Sequence, residues 1–353
     1  MGSSNGSNVL VTGYPAFTAK RMCRRLTEAG DTVFALVQPR FAEEANIWLR
    51  SLGGRFEILE GDVVDIDLGL SGQEVRTLTQ TIEVVHHMAA IYFLGVDTET
   101  IRQVNVEGTK AVLRLSLEMA KLRRFCQYST AFVAGNRTGV VQEDELDCGQ
   151  RFRNVYEQTK FVAETVVRHA MRDLPLTVFR PSLIVGDSTS GEIDRFAGPY
   201  YLMNAIVNLP IDIHLPLPGK GDNPLNLVPI DFVIDAAHYL SSQDRAVGRT
   251  FHLTDSNPLP ARRVYELVAE HAGRKLPKGQ IPASITQLLL RIPGLERVTR
   301  PPRQFLEQFN QQALFNNSNT LQLLAGSGIV CPPFESYVGR LVSFLRQHTY
   351  DAP

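Results

Sequence analysis

Val9-Leu10-Val11-Thr12-Gly13-Tyr14-Pro15-Ala16-Phe17-Thr18-Ala19 is the stretch that decides the fold. Val9-Leu10-Val11 is apolar without alternation and reads as a buried strand. Thr12 to Pro15 carries a glycine and a proline and reads as a turn, and a helical pattern follows over residues 17–29. A strand–turn–helix junction aims backbone N–H groups and the positive end of the helix at an anion such as a pyrophosphate. A GxxGxxG fingerprint would place three glycines here. Only Gly13 is present, and Ala16 and Ala19 hold the other two places. Each alanine adds one methyl, which hinders close backbone approach without excluding it. An ordinary turn that binds nothing remains the plain alternative on these residues alone.

Outward from that stretch the pattern repeats. Gly30-Asp31 ends the first helix, and Thr32 to Val37 reads as a second strand. Further strands are expected over residues 56–59, 84–87, 124–129 and 177–180, most of them separated by helical patterns. Strands alternating with helices imply parallel pairing, right-handed crossovers and helices on both faces. The expected class is therefore α/β, a Rossmann-type doubly wound parallel sheet. After Gly186 the texture changes to Pro, Gly and aromatics over residues 187–228. The run from Pro229 returns to the sheet and starts a helix, and Thr250 to Leu253 adds a short strand. Residues 261–312 read as helices broken by Pro277, Pro282, Pro293 and Pro301-Pro302. The expected organisation is a disordered leader over 1–8 and a dinucleotide-binding domain over 9–186 plus about 229–257. A smaller, discontinuous C-terminal substrate lobe would take about 187–228 plus 258–353. Ile285 to Leu295 is an apolar segment, read as a core helix of that lobe rather than a lipophilic lid.

Composition narrows the classes. A chain of 353 residues, 44% hydrophobic, can build one large core or two modest ones. A net charge of -1 with no long basic run argues against nucleic acid. Cys23, Cys126, Cys148 and Cys331 are scattered, so neither a metal site nor a secreted disulfide framework is expected. The polar N-terminus does not read as a signal peptide, and no apolar run reaches the roughly 18 residues expected of a membrane span. A cytoplasmic protein is the expectation.

The end of the second strand speaks to the kind of dinucleotide. An acid there accepts hydrogen bonds from a ribose 2′-hydroxyl. This chain has Gln38-Pro39-Arg40 instead. Arg40 can pair bidentately with a 2′-phosphate, which a carboxylate would repel, and Lys20 can add charge from the first helix. NADP(H) is the expected cofactor; a solvated surface arginine is the bland alternative. Asp62 and Val63 follow the third strand, where they would cap an adenine. Met88-Ala89-Ala90 follows the fourth, where small residues let backbone lie against a nicotinamide. His86 and His87 read as locally bonded strand-end residues rather than catalysts.

The chemistry is carried by Tyr156-Glu157-Gln158-Thr159-Lys160 together with Tyr128-Ser129-Thr130. Four residues on a helix make about one turn, so the phenol of Tyr156 and the ammonium of Lys160 share a face. A carbonyl that accepts hydride must also receive a proton. Tyrosine can supply it, and a nearby ammonium stabilises the phenolate that results. Thr130 can hydrogen-bond the same oxygen and polarise it. Thr130, Tyr156 and Lys160 are the candidate catalytic residues. Tyr92, Phe93 and Phe132 are candidate walls of a substrate pocket whose apolar lining favours an uncharged or lipid-like molecule.

Together these residues resemble an extended short-chain dehydrogenase/reductase. The resemblance rests on Thr12-Gly13 with Phe17, Gly61-Asp62-Val63, His87-Met88-Ala89-Ala90, Asn105-Val106-Glu107-Gly108-Thr109, Tyr128-Ser129-Thr130-Ala131, Tyr156 with Lys160, and Arg180-Pro181-Ser182. Ser-Thr-Ala before the tyrosine, Arg180-Pro181-Ser182-Leu183-Ile184-Val185-Gly186-Asp187 and Leu227 to Val233 are similar to fatty acyl-CoA reductases and thioester reductase domains. The resemblance covers residues 8–260. It implies a hydroxyl–tyrosine–lysine trio on Thr130, Tyr156 and Lys160, with cofactor contacts at Thr12, Gly13, Ala16, Phe17 and, after the sixth strand, Pro181 and Ser182. It implies that Asn105 holds backbone or water behind the site, and it admits a homodimer. The expected activity is NADPH-dependent reduction of a ketone, aldehyde or thioester in a small or lipophilic, secondary-metabolite type of substrate. Two rivals stay open: an epimerase or dehydratase that retains NAD, and a non-catalytic dinucleotide-binding scaffold or sensor.

Overall fold

The computed structural model describes residues 6–92, 96–208, 213–281 and 312–348. Strands β1 (Asn8–Thr12), β2 (Thr32–Val37), β3 (Arg55–Glu60), β4 (Val84–His87) and β5 (Arg124–Tyr128) form as the apolar runs dictate. The short β6 (Gly139–Val141) follows, then β7 (Leu176–Pro181), β8 (Leu183–Val185), β9 (Leu217–Pro218), β10 (Leu227–Pro229), β11 (Arg249–Leu253), β12 (Gln280–Ile281) and β13 (Ala313–Phe315). Seven of them make one sheet in the order β11-β7-β5-β4-β1-β2-β3. Every pairing in it is parallel. β5 and β7 are buried along their whole length, as central strands covered on both faces must be. β3 closes one edge and exposes Arg55, Glu57 and Glu60, charges that discourage a further strand from adding there.

Helices cover both faces. α1 (Phe17–Glu28) buries Ala19, Met22, Cys23 and Leu26, one stripe at helical spacing, and packs on α8 (Ile230–Ser241). Between these lie α2 (Ala42–Ser51), α3 (Gly72–Thr81), α4 (Thr98–Arg102), α5 (Thr109–Leu117), α6 (Val155–Ala170) and α7 (Tyr200–Asn208). After α8 come α9 (Ala261–Ala272), α10 (Ser318–Leu324) and α11 (Phe334–Gln347). One core joins α1 and α8 to the sheet, and a second joins the opposite face to α3, α5 and α6. A third gathers α7, α9 and α11 over β8 and β10, away from the sheet.

The expected strands and the helices of the sheet domain form, with most ends moved by a residue or two; of the helices expected over 261–312 only α9 is described, and residues 282–311 lie outside the described residues. Ser7 and Asn8, read as leader, belong to the fold: Ser7 accepts from the Thr32 amide at 2.9 Å and Asn8 opens β1. Several elements carry too little pattern to announce themselves, among them the following. The β6–β13 pair joins two three-residue strands far apart in the chain. α7 interrupts the Pro- and Gly-rich stretch. Gln103–Gly108 forms a π-helical turn between α4 and α5. Phe93 and the segment Ile285 to Leu295 lie outside the described residues.

Candidate active site

The order of the sheet sets the site. The chain runs from β1 outward to β3, then crosses back to place β4 on the other side of β1. Neighbouring crossovers diverge at that point, leaving a crevice beyond the carboxyl ends of β1 and β4. Thr12 ends β1 opposite His87. Gly13, next in the chain, holds φ +106, and a Cβ on it would stand 2.9 Å from the Ala89 amide nitrogen and the Met88 carbonyl carbon. Only glycine fits so close to the neighbouring strand end.

α1 begins at this crevice. Ala16 is its N-cap; it makes no side-chain cap hydrogen bond, and the first turn holds no acid. The amides of that turn therefore face the crevice without a cap from their own helix. Ala19 is fully buried, its methyl filling the contact between helix and sheet. The Asp194 carboxylate, from the loop after β8, faces this helix end: burial raises its pKa, while Arg195, the Phe17 amide and Lys20 pull it down. Arg21 ties the same loop to α1 through Asp187 at 3.1 Å and Glu192 at 3.0 Å.

Thr12, His87 and Thr109 form a buried chain. Thr109 Oγ1 donates to the Asn105 carbonyl at 2.8 Å, so it accepts from His87 Nε2 at 3.0 Å. Nδ1 of His87 is then the acceptor for the Thr12 hydroxyl at 2.9 Å. The Thr12 oxygen in turn accepts from the Met88 and Ala89 amides, both at 3.2 Å. This donor order assigns the proton of neutral His87 to Nε2. Burial, then the charge of Lys160, holds its pKa down at about 3. His86, bonded to the Tyr128 hydroxyl at 2.9 Å, is held near 3 by burial as well. Neither histidine can exchange protons at neutral pH.

Beyond β2, Arg40 donates to Gln38 Oε1 at 3.0 and 2.8 Å and lies over the Phe41 ring. Gln38 in turn donates to Asp62 at 2.5 Å. Arg40, Gln38 and Asp62 thus form one line across the ends of β2 and β3. Val63 is buried against Gly108, whose Cβ would stand 2.7 Å from it. Lys20 turns away from this line: it pairs with Glu44 at 2.9 Å and stands over the Tyr14 ring.

The candidate trio lies across the crevice. Asn154 caps α6, accepting from the Glu157 amide at 2.9 Å, and so starts the helix just before Tyr156. The Tyr156 pKa is raised by burial, with its hydrogen bond to Thr130 pulling it down and the charges of Tyr92 and Glu157 pushing it up. Thr130 is itself anchored to the Pro181 carbonyl at 3.5 Å. One turn along α6, Lys160 Nζ donates to the Tyr128 carbonyl at 2.5 Å. Burial lowers its pKa to about 8, with Glu164 acting to raise it. Thr130 and Tyr156 are thus bonded to each other, while Lys160, one turn on along the same helix, is bonded to the Tyr128 carbonyl and reaches electrostatically to His87 on the other wall.

Other sequence candidates take varied places. Tyr92 is exposed yet close enough to Tyr156 to act on its charge. Phe132 is buried edge-on against Phe315 of β13, beneath the β6–β13 pair. Ser182 donates to Asn226 at 2.7 Å. Asn105 binds backbone: it accepts from the Ile91 amide at 2.7 Å and donates to the Ile91 carbonyl and to Thr159, both at 3.0 Å. The π-helical turn thereby clamps the segment after β4 to the second turn of α6. Glu164 and Asp194 escaped the sequence reading. Glu164 could have been found as a lone acid one turn past the lysine. Asp194 sits in an irregular loop without any signal of its own.

No group of metal-ligating side chains and no helix long and apolar enough to cross a membrane occurs among the described residues.

The family model described as male sterility protein matches residues 17–237. The fatty acyl-CoA reductase wat of Drosophila melanogaster is 25% identical over 242 residues, covering 60% of this chain and 46% of that protein. The chain thus spans less than half of that relative. Among solved structures, the terminal R domain of the myxalamid PKS-NRPS biosynthetic pathway superposes with a TM-score of 0.82 at 22% identity, covering 100% of this chain and 94% of that one. The UDP-glucuronic acid 4-epimerase of Bacillus cereus, in complex with NAD, superposes with a TM-score of 0.70 at 19% identity, covering 96% and 99%. These two share the fold.

Proposed function

The chain belongs to the male sterility protein family, within the extended short-chain dehydrogenases/reductases, and from that premise we propose that it is an NADPH-dependent reductase of carbonyl compounds. The substrate class we favour is a thioester, aldehyde or ketone on a small or lipophilic molecule, in keeping with the name of the fatty acyl-CoA reductase relative. The observation that supports the reading is the hydrogen bond between Thr130 and Tyr156, with Lys160 one turn on along the same helix and acting on His87, which lies opposite Thr12 at the crevice.

The residues fit a nicotinamide dinucleotide. Gly13 leaves room that any Cβ would fill, and the first turn of α1, where the Phe17 amide is taken by Asp194, offers further amide donors for a pyrophosphate. In this reading Thr12, Gly13, Ala16 and Phe17 hold the pyrophosphate, and Asp62 and Val63 hold the adenine. Met88, Ala89, Ala90, Pro181 and Ser182 flank the nicotinamide. Arg40 at the end of β2 takes a 2′-phosphate, which is the basis for preferring NADP(H). When bound, the reduced cofactor supplies the hydride.

The chain's own residues supply the rest. The raised pKa keeps Tyr156 a neutral phenol at pH 7, so it has a proton to give to the substrate oxygen. Lys160, with a pKa of about 8, is charged at that pH and stabilises the phenolate left behind. Thr130 holds the phenol and the substrate oxygen in line. The third core, around α7, α9 and α11, would form the lobe that closes on the substrate.

Turnover tests the reading. With NADPH and a panel of acyl-CoA thioesters and aldehydes, oxidation of the cofactor should depend on the carbonyl compound. Tyr156→Phe should lower it by at least about 100-fold. NADP(H) should raise the melting temperature more than NAD(H), because stabilisation follows RT ln(1 + [L]/Kd). Carbonyl-dependent oxidation that survives Tyr156→Phe would remove the proposal. NAD that stays with the purified protein would point to the epimerase reading instead.

A further inference from the structure

Glu164 lies one turn past Lys160 on α6 and is completely buried. A carboxylate in that position needs partners, and it has four donors on three elements. Ser129, at the end of β5, donates to it at 2.6 Å. Arg180, on β7 and itself buried, donates through Nη2 at 2.6 Å and Nε at 3.0 and 3.1 Å. Arg168, the next turn of α6, donates at 3.0 Å. Arg168 is in turn held by the carbonyls of Glu143, Asp144 and Glu145 and by the Thr250 hydroxyl.

Ser129 immediately precedes Thr130, and Arg180 immediately precedes Pro181, whose carbonyl anchors Thr130. One carboxylate therefore fastens the strand ends that carry the hydroxyl to the helix that carries the phenol and the amine. We propose that Glu164 is a positioning residue for the reductase site: it locks α6 onto β5 and β7 and sets a fixed negative charge one turn from the Lys160 ammonium. The function assigned to this charge rests on the reductase reading; the placement of Glu164 does not.

The other groups facing Lys160 do not supply that charge. On α6, Tyr156 is a neutral phenol, and the buried Glu157 is paired with Arg153 at 3.3 Å. His87 on β4 is neutral, and β5 presents the Tyr128 carbonyl. Arg180 and Arg168 stand behind the carboxylate and oppose its effect. Glu164 is the acid that acts to keep Lys160 protonated.

The test reads Lys160 directly, without substrate. In protein carrying [13Cε]lysine, its NMR resonance is identified by its loss in Lys160→Met, and its titration midpoint is followed with pH. Glu164→Gln keeps the shape and removes the charge; the midpoint should fall by about one pH unit or more, and the alkaline limb of reductase turnover should fall with it. Arg168→Met removes an opposing charge from a half-buried, partly solvated position; the midpoint should rise by a few tenths of a unit. Should Glu164→Gln fail to fold, Arg168→Met decides alone. A midpoint that stays in place in the folded variants would overturn the proposal, since a purely structural brace would lower turnover without moving it. If the midpoint moves as described but the wild-type protein reduces no carbonyl compound, the reductase reading fails and the placement of Glu164 stands.

Discussion

At the scale of residues, two positions carry most of the argument. Gly13 combines a positive φ with a gap too small for a methyl. Gly13→Ala should cost about 2 kcal/mol of stability by chemical denaturation, since strain at such a φ alone costs of order 1–3 kcal/mol. It should also weaken dinucleotide binding. Lys160 shows the opposite balance. Its folded pKa of about 8 lies below its ordinary value of 10.5. Below pH 8 the folded and unfolded states both hold the proton, and the whole cost of burying the charge is present. Between about 8 and 10.5 the unfolded state binds more protons, so this group makes stability rise with pH across that window. Lys160→Met should therefore raise stability at pH 7, by up to about 3 kcal/mol, while removing turnover. Thermal melts from pH 7 to 10.5 should show the wild-type protein closing the gap on the variant. Turnover in the reducing direction should decline as pH passes about 8, where Lys160 loses its charge.

At the scale of elements, the start of α1 is the informative one. Its amides lack a cap of their own, and an acid from a distant loop faces them. An anion that binds there must contend with the Asp194 charge. Asp194→Asn should tighten NADPH binding several-fold by fluorescence titration, and a high salt concentration should narrow the difference. Weaker binding in the variant would show that Asp194 aids the site. The strands and the helices α1 and α6 were legible because each carries its own signal: an apolar run, a 3.6-residue stripe, a glycine at a turn. The placing of Tyr156 and Lys160 one turn apart on a helix, with Ser129-Thr130 at a strand end, was legible from spacing alone. Asp194 was not, because its meaning comes from a loop folding back on a helix more than 170 residues earlier. The π-helical turn was hidden likewise: its purpose, the Asn105 clamp on Ile91 and Thr159, exists only between elements.

At the scale of the whole molecule, the sheet and its two covering layers hold the crevice open. Phe251 on β11 is fully buried and rests on Phe179 of β7, with ring centroids 6.2 Å apart. Phe251→Ala should cost about 3–5 kcal/mol in urea unfolding, and it should do so without changing the pH profile of turnover, because the cavity lies in the core shared with α1 and α8 and not at the trio. The sequence by itself determined the α/β class, the parallel sheet and the helix that carries Tyr156 and Lys160 one turn apart, because these follow from local periodicity. Tertiary structure alone decided the neutral tautomer of His87, the turning of Lys20 toward Glu44, the pairing of β6 with β13 and the burial of Glu164 between two arginines. Each of those depends on which distant groups share a small, water-poor volume, and in such a volume the nearest charge or donor outweighs any preference the chain carries locally.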